Sequence, residues 1–312
     1  MTLAEVGEDA LVARLLRGAP GGEGLVVPSG DDCAAVEVGG RDLLLLKTDC
    51  VVEGIHYLPV ECPKLVGRKA LARALSDVAA MGGRPLHALV AIFSPPDAEV
   101  AYWEGVYAGL YEMAQQAGVA VVGGESSESR IRAVTVALTG RVSRENLWTR
   151  SGGRVGDILM VTGRLGGSLK SGRHLTFSPR LAEGQWLASR GAVHAMMDLS
   201  DGLARDLPRL ARACGTGWEL DAESVPTQPG CDVKQALTDG EDYELLVSVE
   251  PRQARRLAKD WYRRFPDLPL TMIGRLTGGP AGEGRGMEVG GYEHFRPSGG
   301  GGSEGGDAKA GG

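Results

Sequence analysis

Apolar positions along the chain alternate between stretches of helical period and stretches of strand period. Residues 5–17 carry a sparse helical pattern, with Leu11 and Leu15, and Val12 and Leu16, four apart. A glycine-rich stretch, 18–24, breaks it and reads as a mobile arm or a plain linker. Ala35-Val36-Glu37-Val38 then leads through Gly39-Gly40 into Leu43-Leu44-Leu45-Leu46, which predicts a hairpin. The spacing of Leu71, Leu75 and Val78 predicts a helix over 64–81, stopped by Gly82-Gly83. A strand at 86–93, a break at Pro95-Pro96, a helix over 97–117 and a buried strand at 119–122 follow. Within 131–142, Val134, Val136 and Leu138 alternate as in a half-buried strand.

The pattern changes around 146–153, and a domain boundary is placed there. Domains are expected over 1–145 and 146–297. The second half predicts strands at 158–162, 193–197, 245–249 and 270–273, with helices at 179–188, 203–213 and 253–264 between them. Strands alternating with helices give an α/β layer architecture, α+β mixed in detail. From residue 298 onward the glycine-rich sequence cannot bury enough apolar surface to fold, and it is expected to be a disordered tail.

With 312 residues, 43% of them hydrophobic, the chain can bury two cores. Its net charge of −6 and lack of a basic run argue against nucleic acid or an anionic membrane as partner. No apolar run approaches a membrane span and no signal-peptide pattern opens the chain. The cysteines number five and form no C-x-x-C, as expected of reduced thiols in a cytoplasm.

The chemistry is expected where the apolar run 192–197 gives way to Asp198-Leu199-Ser200-Asp201 and then to a helix carrying Leu203, Leu207 and Leu210. Asp198 and Asp201 stand three apart there, close enough to serve one ligand; alternatively Asp198, Ser200 or Asp201 caps the helix. Other acids fall at expected turns or element ends. Asp31-Asp32 precedes the first strand, Thr48-Asp49 ends the second, and Glu125 follows Gly123-Gly124. Asp77 lies on an otherwise apolar helix, where an unpaired charge is costly. Two like charges 4 Å apart cost about 4 kcal/mol at an effective dielectric near 20, so converging carboxylates call for cations. Oxygen donors without a His or Cys cluster select Mg²⁺, completed by phosphate oxygens. A P-loop and the protein-kinase signature set are both absent.

Eight segments, in order, resemble the thiamine-monophosphate kinase family of the aminoimidazole ribonucleotide synthetase superfamily. They are Gly30-Asp31-Asp32-Cys33, Lys47-Thr48-Asp49 with His56, Leu75-Ser76-Asp77 with Gly82-Gly83, and Gly123-Gly124-Glu125. Trp148-Thr149-Arg150, Asp198-Leu199-Ser200-Asp201-Gly202, Asp239-Gly240-Glu241-Asp242-Tyr243 and Gly291-Tyr292-Glu293 complete the set. The resemblance implies the two-domain synthetase-like fold, with an N-terminal sheet domain that dimerises. It implies direct γ-phosphoryl transfer from ATP to thiamine monophosphate in a cytoplasmic homodimer. By the same resemblance Asp32, Thr48, Asp49, Asp77, Glu125, Asp198 and Asp201 hold magnesium ions, with Asp77, Asp198 and Asp201 central to catalysis. Gly124, Glu125, Arg150, Ser200 and Tyr107 would meet ATP, and His56, Glu241 and Tyr292 would meet thiamine phosphate.

This sequence departs from the family pattern at four places. Glu125 replaces the usual Asp, and Lys47 replaces a usual Ser or Thr, putting a cation where it can displace one metal. Asp239 replaces a usual Gly, and the segment between Gly167-Ser168 and Pro179-Arg180 is short. These leave two other readings open: a ligase or dehydratase of the same superfamily, or a non-catalytic nucleotide-binding member.

Overall fold

The structure, a computed structural model, describes residues 1–295; the expected tail from 298 lies outside the described residues. Two compact units are present, one made of Met1–Pro20 with the segment from Tyr292, the other of Gly21–Gly291. In the first unit the single helix expected over 5–17 is two, α1 (Leu3–Val6) and α2 (Glu8–Leu15). Gly7, at φ 75°, breaks them, and neither helix buries a residue, which accounts for the sparse periodicity.

The second unit opens with β1 (Leu25–Val27), β2 (Ala34–Glu37), β3 (Asp42–Val52), α3 (Pro63–Ala80), β4 (Arg84–Ser94), α4 (Val100–Ala117), β5 (Ala120–Glu128) and β6 (Ala133–Ser143). The six strands form one sheet in the order β1-β2-β3-β6-β4-β5, antiparallel except where β4 meets β5. Alternate residues Leu43, Leu45 and Val51 of β3 and Val134, Val136 and Leu138 of β6 are buried in the core shared with Leu71, Leu75 and Val78 of α3.

Two sequence expectations are corrected here. Thr48-Asp49 does not end a strand: β3 pairs with β6 without a break from Asp42 opposite Ser143 to Val52 opposite Ala133. Nor does Gly123-Gly124 stop β5, which continues through Glu125 to Glu128. A Cβ on Gly124 would lie 1.8 Å from the Val90 carbonyl oxygen, so that glycine permits close strand approach rather than a turn.

The chain continues through β7 (Ile158–Thr162), α5 (Ser168–Ser171), α6 (Arg173–Thr176), α7 (Leu181–Ala188), β8 (Val193–Asp198), α8 (Leu203–Ala213), β9 (Gly217–Leu220), α9 (Val233–Thr238), β10 (Leu245–Val249), α10 (Pro251–Arg264), β11 (Leu270–Thr277) and β12 (Gly284–Arg285). The second sheet runs β12-β9-β11-β7-β10-β8, again antiparallel except at one edge, where β12 meets β9. Leu203, Leu207 and Leu210 of α8 share one core with Leu159, Val161 and Met197. Leu187 of α7 and Leu257 and Trp261 of α10 share another with Met160, Met196 and Val247, so both faces are covered. The mixed α/β class holds, although the strands and helices alternate over antiparallel rather than parallel sheets.

Helix α3 is placed by glycine. A Cβ on Gly67 would lie 1.7 Å from the Val106 carbonyl oxygen, and one on Gly109 of α4 would lie 1.7 Å from that of Lys64. The two backbones therefore touch, and α3 cannot shift without parting from α4. Gly67→Ala is expected to lower the unfolding free energy by about 2 kcal/mol or more. A urea midpoint and slope equal to those of the unaltered protein would contradict this.

Candidate functional site

Lys69, Arg73, Ser76 and Asp77, at spacings of four, three and one, punctuate the buried part of α3. Intervals of three and four return to the same helical face, so an otherwise apolar helix carries one polar stripe. Each member has a partner from elsewhere in the chain. Lys47 Nζ of β3 lies 2.7 Å from Asp77 Oδ1. Ser76 Oγ donates to Asp198 Oδ2 at 2.7 Å, from α3 to the end of β8. Arg73 reaches Asp49 Oδ1 at 3.3 Å and donates to the Cys50 carbonyl at 3.0 Å. Strand pleating puts Lys47 and Asp49, two residues apart, on the same face toward α3.

Three carboxylates meet at the Asp77 end of the stripe. Asp32, Asp77 and Asp198 each offer an oxygen within 4.8 Å of the others, and all three residues are buried. Arg150 Nε donates to Asp32 Oδ1 at 3.1 Å, while buried Asp32 Oδ2 has no hydrogen-bond partner among the described residues. Burial, followed by repulsion from Asp32, pushes the Asp198 carboxyl up to about 6. Burial pushes Asp77 above the usual carboxylate range too, and Asp198, Asp49 and Asp32 add to it against the pull of Lys47. Burial works against the Lys47 ammonium, but Asp77 and Asp49 outweigh it and keep it charged. Asp49 is the exception among the acids: burial raises it, yet Arg73 and Lys47 together leave it below the ordinary range. The cluster is thus short of positive charge. Three carboxylates, one of them with a buried unsatisfied oxygen, are hard donors that suit a divalent cation such as Mg²⁺.

The other end of the stripe holds a second polar group. Lys69, fully buried, donates from Nζ to the His56 carbonyl at 2.7 Å, contacts His174 Nδ1 at 2.9 Å and pairs with the Glu241 carboxylate. Burial, then the neighbouring Lys69, pushes His174 down to about 4, which leaves its ring neutral and able to accept from the ammonium. Glu241 Oε1 also accepts from the Tyr243 hydroxyl at 3.1 Å. Glu241 and Tyr243 adopt φ of 57° and 52°, uncommon for residues with side chains. The Tyr243 ring stacks on Phe177 at 4.1 Å between centroids, and flanking Asp242 and Glu244 are tied to Arg173 and Arg180. Packing and ion pairs thus hold the strained segment in place.

The family models of AIR synthase related protein match this chain over residues 30–142 for the N-terminal domain and 164–286 for the C-terminal domain. The thiamine-monophosphate kinase of Rhodopirellula baltica is 34% identical over 81% of this chain and 84% of its own. That of Aquifex aeolicus is 33% identical over 95% and 100%. A solved structure, AaThiL complexed with AMPPCP and TMP, superposes with a TM-score of 0.81 at 31% identity, covering 95% of this chain and 99% of the other. This chain belongs to the thiamine-monophosphate kinase family.

In this family member the expected site residues fall into distinct groups. Asp32, Asp77 and Asp198 meet, with Arg150 joined to them through Asp32, while Asp49 pairs with Arg73. His56 and Glu241 meet at Lys69. Asp201 does not join Asp198: it pairs with Arg209 and lies 3.7 Å from Arg205. Neither Asp198, Ser200 nor Asp201 caps α8, whose N-cap is Gly202. Instead buried Asp206, one turn into the helix, accepts from the Ser200 and Asp201 N–H groups at 3.1 and 3.0 Å. Thr48, exposed, lies on the opposite sheet face from Lys47 and Asp49, and Glu125 beside Gly124 on β5 is exposed as well. Tyr107 packs on α4 with its ring edge-on to Tyr111 at 5.5 Å. Tyr292 belongs to the other compact unit, where its hydroxyl lies 3.2 Å from His294 Nδ1.

Two departures from the family pattern are in contact: the Asp239 carboxylate accepts from the Gly167 N–H at 2.9 Å, anchoring the short segment that carries His174. Lys69, Arg73 and Ser76 went unnoticed in the sequence as partners of the site. Their three- and four-residue spacing from Asp77 within an apolar helix was the available signal.

Because Asp198 holds its proton more tightly folded than unfolded, the metal-free protein loses stability from it as pH rises from about 4 through about 6, and Asp77, raised in the same direction, adds to the loss. A bound divalent cation relieves that penalty. Added Mg²⁺ is expected to raise the melting temperature more at about pH 8 than at about pH 5. An equal shift at both, or none, would contradict the reading.

Proposed function

We propose that this chain transfers the γ-phosphoryl group of ATP to thiamine monophosphate, giving thiamine diphosphate, with Mg²⁺ at the Asp32, Asp77 and Asp198 cluster. The observation that carries it is the trio of buried carboxylates with an unsatisfied oxygen, in a chain that matches AaThiL, whose structure holds AMPPCP and TMP, over 95% of its length. Bound magnesium supplies Lewis-acid neutralisation of phosphate charge. The chain's own residues provide alignment. Ser76 fixes the Asp198 carboxylate, and Arg150, now on Asp32, offers a planar fork for phosphate oxygens. Lys69 pairs with Glu241 and holds it in place, where its carboxylate can accept amine hydrogens of the acceptor. By family resemblance Gly124, Glu125, Ser200 and Tyr107 complete the ATP contacts, Thr48, Asp49, Glu125 and Asp201 the metal contacts, and His56 and Tyr292 the thiamine phosphate contacts.

The same reading takes the chain as a cytoplasmic homodimer with domains meeting near 145–146. Exposed Leu46 and Leu89 on the uncovered face of the first sheet support dimerisation through that face. Five unpaired cysteines support a reducing compartment, and among the described residues no helix is long and apolar enough to cross a membrane.

Incubation with ATP, Mg²⁺ and thiamine monophosphate is expected to yield ADP and thiamine diphosphate in equal amounts, read by chromatography. ADP without the diphosphate would reject this acceptor and favour a ligase or dehydratase. Asp77→Asn is expected to cut turnover by at least about 100-fold, the scale of losing one transition-state charge contact, with circular dichroism unchanged. Near-normal turnover would remove Asp77 from the site.

A further inference from the structure

We propose that Lys47 is a resident cation of the metal site, its ammonium filling a position that a divalent ion takes when residue 47 is short and neutral. The proposal rests on the phosphotransfer reading above and concerns how many ions that site holds.

Lys47 is no surface lysine that happens to reach an acid. Its ammonium lies 2.7 Å from Asp77 Oδ1, and the Asp77 side chain is 9% exposed. Asp77 is itself one of the three carboxylates that converge. The stem rises from β3 on the face that also carries Asp49, so the ammonium meets the fields of Asp77 and Asp49 together. A divalent ion held by Asp77 would need that carboxylate's oxygens, and the ammonium already stands against one of them. Charge balance gives the same result. Asp32, Asp49, Asp77 and Asp198 are four carboxylates, and Lys47, Arg73 and Arg150 supply three cations against them. Without Lys47 the deficit would double, to the charge of one whole divalent ion. The cation that replaces it is covalently fixed, so it does not dissociate and needs no free metal to fill it. Lys47 acts through Asp77 and is a positioning residue.

The test counts ions without turnover. Mn²⁺ bound per chain is measured by electron paramagnetic resonance of the free ion, at saturating AMPPCP, for the unaltered protein, Lys47→Ser and Lys47→Arg. Lys47→Ser is expected to bind one more Mn²⁺ per chain than the unaltered protein, and Lys47→Arg, which keeps the charge, to bind the same number. Equal counts in all three would overturn the proposal, as would a gain in Lys47→Arg equal to that in Lys47→Ser. Should Lys47→Ser fail to fold, Lys47→Gln takes its place with the same two outcomes. The count is independent of the acceptor: failure of the unaltered protein to make thiamine diphosphate would reject the proposed function, while the difference between variants still decides the role of Lys47.

Discussion

A buried shortage of positive charge is the constraint on which this structure turns. Carboxylates taken out of water and set against one another are costly, and a fold tolerates them only if cations and hydrogen-bond donors are held rigidly beside them. Here the donors come from four places. Ser76 is on α3, Lys47 on β3, Arg150 on the connection between the sheets and Arg73 one turn back along α3. The rigidity comes from backbone contact at Gly67 and Gly109, and at Gly184 of α7, where a Cβ would lie 2.1 Å from the Ala79 carbonyl oxygen. Helix α3 is thus clamped by α4 near its start and by α7 at its end.

That clamping links the two polar groups. Lys69 and Asp77 are eight residues apart on one helical face, about 12 Å along the axis. One end of the stripe is acidic and short of cations; the other places a buried lysine against a carboxylate, a neutral histidine and a backbone carbonyl. Under the proposed function a phosphate donor with its metal suits the acidic end, and the Glu241 carboxylate at the other end is placed to accept hydrogens from the acceptor at a short, fixed separation. The strained backbone at Glu241 and Tyr243 fits the same account, since it fixes the carboxylate that answers Lys69.

Much of this was legible in the sequence, for identifiable reasons. β7 and β10 lie where their apolar runs place them, and α8 begins at Leu203 and ends at Ala213 as its leucines predict. β3 was read too short because Lys47-Thr48-Asp49 looks like the end of a strand. Only the polar stripe of α3, lying across from it, makes a charged strand interior tolerable. Gly217–Leu220 and Leu25–Val27 form strands too short to show a period, and the six-residue α9 hides for the same reason. Motif order brought Asp32, Asp77 and Asp198 together correctly. It also places Asp201 beside Asp198, whereas in the structure the Asp201 carboxylate pairs with Arg209 of α8. Partners such as Lys69 and Arg73 lie far in sequence from the acids they serve, so local pattern alone could not assign them.

The most direct test is anomalous scattering from crystals of this protein grown with Mn²⁺ and AMPPCP. The account predicts a manganese peak coordinated by oxygens of Asp32, Asp77 and Asp198, with Asp32 Oδ2 among them. Manganese bound only elsewhere, with that oxygen still unliganded, would contradict it.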